Sequence, residues 1–243
     1  MANWSDPRTT GANFAHAAAG TRDAAYDAGL RSYMLSIYNY MASGVLLTGI
    51  VALAFAYSGI AAQVMATPLR WVIALSPLAF VMVMSFGMHR LSTAALQGLF
   101  WAFATVMGLS MSAIFLVYTG PSIAITFFST AVAFLSLSLY GYTTKRDLSG
   151  FGTFLIMGLV GLIVAMLANL FFQSPALNLA ISAIGVLIFA GLTAYDTQRI
   201  KGLYFQVAGT DMMGKAVIMG ALSLYLDFVN MFQFLLSFLG NRE

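Results

Sequence analysis

The sequence has no cysteine, 2 histidines and few charges. Without cysteine there are no disulfides, zinc–thiolate sites, iron–sulfur clusters or thiol nucleophiles. The histidines, His16 and His89, are too few for a histidine-built metal centre. Charged residues make up 8% of the 243 positions, whereas a soluble globular domain carries about 25%. So few charges cannot cover a water-facing surface, which excludes a secreted disulfide scaffold, a disordered chain and a soluble enzyme. What the chain has instead is apolar surface: 60% hydrophobic residues and a mean hydropathy of +0.88. The net charge of +3 does not point to nucleic acid, because in a membrane protein the placement of charge matters more than its sum. The solvent implied is the lipid bilayer.

Residues 1–28 are polar, rich in small residues and carry both signs of charge. They contain no apolar core of a signal peptide and read as a mobile cytoplasmic tail. The end of this stretch, from Ala24 to Ser36, could form a short helix feeding the first span. From residue 29 on, the chain reads as a single transmembrane domain. A membrane helix needs about 20 mostly apolar residues. The runs that qualify are Ile37–Tyr57, Trp71–Met88, Ala94–Thr119, Ser122–Tyr142, Phe151–Phe172, Ala176–Tyr195 and Ala216–Leu239. They are apolar on every face, so the period-two alternation of a barrel is missing. The expectation is an all-α membrane protein, a bundle of seven transmembrane helices. Pro77, after Ser76, predicts a kink in the second helix. Gly108 and Ser112, then Ala216 and Gly220, repeat small residues at four-residue spacing and mark close helix packing. With an odd number of spans and no long repeat, the last helix is the candidate for the centre.

Orientation follows from the basic residues. Arg8, Arg22, Arg31, Arg90, Lys145, Arg146, Arg199, Lys201 and Lys215 fall on the side of the N-terminus, against Arg70 and Arg242 on the other. This puts the N-terminus in the cytoplasm and, with seven spans, the C-terminus outside. A re-entrant last segment would make six spans and return the C-terminus to the cytoplasm.

Two of the 8 acidic residues, Asp196 and Asp227, sit within or at the edge of apolar runs. A charge at membrane depth costs about 2.5–3.5 kcal/mol on insertion scales and is functional by default. Asp196 also has a structural explanation, a helix-end ion pair with Arg199 at i+3. Asp227 has no basic residue within a turn. Ser223, Asp227 and Asn230 are spaced four and three apart and share one helix face, while Tyr225, Phe228, Phe232 and Phe234 are expected to point elsewhere. On the preceding helix Thr193 and Asp196 share a face. The loop between these helices is short, so an antiparallel pair is expected, with the two carboxylates able to face each other. Two carboxylates in a low-dielectric site resist double ionisation and share a proton, which makes a pH switch. The ionised pair suits a hard divalent cation, and Asp196, Asp227, Asn230 and Ser223 offer the oxygen ligands that calcium prefers.

Two segments carry a further resemblance: Ala190–Lys201 (Ala-Gly-Leu-Thr-Ala-Tyr-Asp-Thr-Gln-Arg-Ile-Lys) and Ala221–Phe232 (Ala-Leu-Ser-Leu-Tyr-Leu-Asp-Phe-Val-Asn-Met-Phe). They resemble the paired signature segments of the Bax inhibitor-1, or transmembrane Bax inhibitor motif, family, and the likeness extends from about Tyr33 to Gly240. The short C-terminus resembles that of bacterial members, which implies the inner membrane. The resemblance implies a seven-helix bundle with the last helix central. It also implies a pH-sensitive calcium leak whose aspartate sensor maps onto Asp196 and Asp227. Calcium would be the transported ion, bound only transiently, and no cofactor is implied. In the family a basic residue at the cytoplasmic end of the second helix latches the first aspartate. Here Met88-His89-Arg90-Leu91 stands there, so the latch could be Arg90 or His89.

An intramembrane aspartyl protease is not expected. Tyr195-Asp196 resembles half of that signature, but the Gly-x-Gly-Asp half and the Pro-Ala-Leu segment are absent. A retinal protein would need a lysine deep in the last helix, and Lys215 lies at its mouth. The chain therefore reads as no enzyme. The competing function is a non-conducting regulator that binds other membrane proteins. The resemblance implies protection against cell death in eukaryotes and contact with a membrane-bound quality-control protease in bacteria.

Overall fold

The computed structural model describes residues 7–241, with side chains from Asp27 onward. The described chain is helical, without strands. In order the helices are α1 (Pro7–Tyr57), α2 (Ile60–Met65), α3 (Leu69–Gly87), α4 (Thr93–Met111), α5 (Ile114–Val117), α6 (Gly120–Thr143), α7 (Ser149–Phe172), α8 (Pro175–Val207) and α9 (Met212–Leu239). Seven stretches are long and apolar enough to cross a bilayer, α4 and α5 together forming one of them. α9 is unbroken over 28 residues, long and apolar enough to cross a bilayer.

Local chemistry sets several boundaries. The Ser92 hydroxyl accepts from the Ala95 N–H at 3.2 Å and starts α4, as Ser174 does for α8 with Pro175 in its first turn. These side chains take up helix-start donors that have no partner inside the helix. Pro77 lies inside α3 and has no N–H for the Ile73 carbonyl. The Ser76 hydroxyl donates to that carbonyl instead, at 2.9 Å, so the helix continues through the proline.

Three boundaries differ from the expected ones. α1 is helical from Pro7, so most of the stretch read as a mobile tail continues the first span. Its alanines, such as Ala17, Ala18 and Ala19, are strong helix formers. The residues before Pro7 lie outside the described ones. The third run is interrupted near Ser112, whose hydroxyl turns back to the Leu109 carbonyl at 2.7 Å. α8 does not stop at Tyr195 but runs to Val207. The extension is held from the side: Gln198 accepts from the Leu148 N–H at 2.9 Å and donates to the Arg146 carbonyl at 2.7 Å. Lys201 donates to the Tyr142 carbonyl at 2.8 Å. Asp196 is therefore in mid-helix.

α9 is the central helix. It packs against α1, α4, α6 and α8, while α3 rests on α4 and α7 rests on α8. Of their most apolar stretches, 50% is buried in α9 but 11% in each of α3 and α7. The small residues expected at contacts are there. A Cβ on Gly108 would lie 2.7 Å from the Thr48 carbonyl, so α4 and α1 meet backbone to backbone. Tyr225 is fully buried and its hydroxyl meets that of Thr48 at 2.6 Å, tying α9 to α1. The outer face is apolar, with Phe128, Phe154, Met157 and Phe171 among the exposed residues. Polar hydroxyls such as Ser138 and Thr197, 2.9 Å apart, are buried inside.

Candidate functional site

The site is built on the antiparallel pair α8 and α9. Ser223, Asp227, Asn230 and Phe234 follow one another at four, three and four residues and so occupy one stripe of α9. That stripe faces Phe189, Leu192, Asp196 and Arg199 of α8 across a cavity of about 540 Å³. α3 contributes Pro77, Leu78 and Val81 to its walls, α4 Phe103 and Met107, and α7 Leu159, Leu162 and neighbours. Both intramembrane aspartates thus line one cavity, with the two neutral oxygen-bearing residues beside them.

The aspartates have different surroundings. The Asp227 residue is 4% exposed, and its Oδ2 has no hydrogen-bond partner among the described residues. Leaving a buried polar atom unsatisfied costs about 1–3 kcal/mol. The Asp196 side chain is 13% exposed, and its Oδ1 lies 3.3 Å from Arg199 Nη2. The same guanidinium nitrogen donates to the Ser223 hydroxyl at 3.3 Å. Arg199 therefore bridges α8 and α9, with its side chain 51% exposed at the mouth of the cavity. Asp227 is within electrostatic reach of both Asp196 and Arg199. Asn230 donates its amide to the Leu226 carbonyl at 2.8 Å, which leaves its amide oxygen to offer to the cavity. Among the described residues no group of three or more His, Asp or Glu is gathered. The donor set is two carboxylates and neutral oxygens.

His89 and Arg90 are elsewhere. Both are exposed in the turn after α3, where the Arg90 N–H donates to the Gly87 carbonyl at 2.9 Å. In this conformation the base on Asp196 is Arg199. The basic residue that ties the end of α3 to α9 is Lys215, whose ammonium donates to the Met88 carbonyl at 3.2 Å. Thr193 is buried, its hydroxyl turned to the Phe189 carbonyl of its own helix at 2.8 Å. Asp147 lies in the α6–α7 loop and accepts from the Ser149 hydroxyl at 2.7 Å and the Ser149 N–H at 2.9 Å. These two bonds, the hydroxyl first, hold its carboxyl below the usual carboxylate range.

Sequence reasoning missed the aromatic residues of the site. Phe234 was expected to point away, but it lies seven residues beyond Asp227, two helical turns along the same stripe. It stacks on Phe189 with ring centroids 5.8 Å apart. A Cβ on Gly185 would lie 2.6 Å from the Phe234 ring, so this glycine makes room for it. One turn further, Ser237 joins a polar pocket with Asn169, Gln173, Ser174 and Asn178 at the opposite end of the bundle. The Phe189–Phe234 stack lines the acidic cavity, with the polar pocket one turn of α9 beyond it, and the i+7 spacing was the available clue.

The sequence model of the family described as inhibitor of apoptosis-promoting Bax1 matches residues 30–243. An uncharacterised protein of Caulobacter vibrioides is 47% identical over 235 residues, covering 91% of this chain and 93% of its own. The inner membrane protein YbhL of Escherichia coli is 46% identical over 220 residues, covering 89% and 94%. A Rickettsia prowazekii protein, also uncharacterised, is 46% identical over 225 residues, covering 92% and 95%. With a family match over most of its length and relatives of this identity along nearly their whole chains, the protein belongs to the Bax inhibitor-1 family.

Proposed function

We propose that the protein is a pH-sensitive calcium leak of a bacterial inner membrane, with its N-terminus in the cytoplasm. The observation that carries this reading is the buried Asp227, with an unpartnered oxygen, in a cavity shared with Asp196, Ser223 and Asn230. Calcium takes oxygen ligands from carboxylates, amide carbonyls, hydroxyls and water. A leak needs sites that hold an ion weakly enough to release it, and two carboxylates with neutral oxygens meet that need better than a dedicated acidic cage.

The path has a gate at each end of the cavity. Away from Arg199, the Phe189–Phe234 stack is a hydrophobic constriction of the kind that blocks ions by excluding water. At the mouth, Arg199 joins Asp196 to Ser223 and holds α8 and α9 together. pH acts through the carboxylates. In the closed arrangement the pair shares a proton. Its loss as pH rises leaves two like charges in a low-dielectric cavity, and their repulsion destabilises that arrangement. Acid pH therefore closes the leak and rising pH opens it. His89 or Arg90 would act as a latch on Asp196 only if the end of α3 moved toward α8.

A second reading has one observation in its favour. α1 is helical from Pro7, well before the apolar run that starts at Ile37, and such an arm suits a non-conducting regulator that binds other membrane proteins, for example a membrane-bound protease. One experiment separates the two: purified protein in vesicles loaded with a calcium-sensing dye. Calcium flux that needs Asp227 supports the leak. Intact, folded protein without flux at any pH supports the regulator.

A further inference from the structure

The cavity has a side opening as well as a mouth. α3 packs on α4 and α7 packs on α8, but no packed interface joins α3 to α7. Between them the cavity walls reach the surface: Leu78 of α3 and Ile156, Ile163 and Met166 of α7 line the cavity and are also exposed. In a bilayer these residues face lipid, so the opening is a lateral one with apolar walls. At its inner end stands the Asp227 carboxylate, 4% exposed and with Oδ2 unpartnered.

The charges make the inner end selective. Arg199 makes its ion pair with Asp196 at 3.3 Å, so among the described residues the cavity acid without an ion-pair partner is Asp227. Within the cavity, Asp196, Arg199 and Asp227 are the charged residues. A neutral acyl chain would fill the apolar walls and leave the Asp227 oxygen without a donor. An anionic amphiphile would bring like charge to it. A hydrated divalent ion has no reason to cross apolar walls from the lipid side. The chemistry that satisfies both parts is a primary ammonium, which carries three N–H donors and one positive charge, on an apolar chain. The cavity of about 540 Å³ falls within the ~300–1,000 Å³ of small-molecule sites.

We propose that the opening between α3 and α7 is a binding site for amphiphilic primary ammonium compounds, which enter from the bilayer with the chain along α7 and the ammonium on Asp227. The site uses the cavity described above, but its occupation does not depend on calcium conduction. The two readings therefore fail separately.

The test is photolabelling in calcium-free vesicles with a diazirine-bearing dodecylammonium, followed by mass mapping. The expected result is labelling of the α3 and α7 wall residues, competed by unlabelled dodecylammonium and not by dodecanoate. Asp227→Asn should lower this labelling about tenfold or more, as expected for removal of one partner of a buried charge pair. Leu159→Trp, which narrows the cavity and keeps Asp227, should lower it as well. Ile125→Trp, on the exposed face of α6, should leave it unchanged. Size-exclusion profiles and helix content identify any variant that fails to fold, and Leu159→Trp gives an independent arm if Asp227→Asn does. Labelling that dodecanoate competes equally, or that survives in folded Asp227→Asn, means simple partition of an apolar chain and overturns the proposal.

Discussion

α9 buries Ala216, Gly220, Tyr225 and Asp227 among four neighbouring helices, whereas α7 turns Phe154, Met157 and Phe171 outward and rests on α8. The cavity lies between these two kinds of helix. One wall, from α8 and α9, is closely packed and carries every charged group of the site. The other, from α3 and α7, is apolar and loosely joined. The difference separates two jobs. Carboxylates need fixed positions if they are to act on each other, and a tight helix pair supplies them. Access needs helices that can move apart without breaking a core, and weakly packed peripheral helices open at low cost.

If the packed wall carries the chemistry, its central acid should matter most. Asp227→Ala should abolish calcium flux or lower it by about tenfold or more, because it removes the buried carboxylate that would hold the ion in the cavity. The same change removes an unsatisfied buried group, so thermal unfolding should occur at no lower temperature than in the parent. A variant that conducts normally would move the path away from α9. Next in size is the double variant Asp196→Asn, Asp227→Asn, which keeps shape and removes both titrating groups. Its flux should lose its pH dependence, measured as dye response between acid and neutral pH. A normal profile would place the sensor outside the cavity.

The seven spans and the shared face of Ser223, Asp227 and Asn230 were legible in the sequence, because hydropathy and helical spacing are local properties. So was the ion pair of Asp196 with Arg199, as one of two readings, from its i+3 spacing. The length of α8 was not legible. Its last turns are polar, and what keeps them helical is Gln198 reaching Arg146 and Leu148 about fifty residues earlier in the chain. The place of Phe234 was available from spacing but hidden by its side-chain type, since an aromatic residue in a membrane helix reads as lipid-facing. The position of Arg90, exposed rather than on Asp196, depends on how far α3 stands from α8. That distance is a tertiary property, and so is the lack of a packed interface between α3 and α7.

Two substitutions probe the ends of the cavity. Phe234→Ala removes the ring stacked on Phe189 and should raise flux severalfold at acid pH, where the parent is nearly shut. It leaves Asp227 in place, so the pH dependence should weaken without vanishing. Unchanged flux would mean that the constriction lies elsewhere. Arg199→Ala unties α8 from α9 and should also raise flux at acid pH, but less. The Arg199 side chain is half exposed, and ion pairs open to solvent contribute about 1 kcal/mol at most, so the expected change is up to about fivefold. Arg90→Ala should do less than Arg199→Ala. The reverse order would return the latch to the end of α3.

The smallest effect is expected outside both walls. Asp147 lies in the α6–α7 loop, where its carboxylate accepts from the hydroxyl and the N–H of Ser149, at the start of α7. These bonds lower its pKa. A lowered folded-state value means that the stabilisation is complete above the ordinary aspartate value of 3.8 and is lost as pH falls through the lower, folded one. Across the range from weakly acid to neutral pH the group stays ionised and contributes a constant amount. Asp147→Asn should therefore leave both the size and the pH profile of calcium flux unchanged in the vesicle assay. It should speed amide exchange in the first turn of α7, because an amide accepts more weakly than a carboxylate at a helix start. A change in the pH profile of this variant would show that a loop carboxylate takes part in gating, and the contrast between the two walls would no longer explain where pH is sensed.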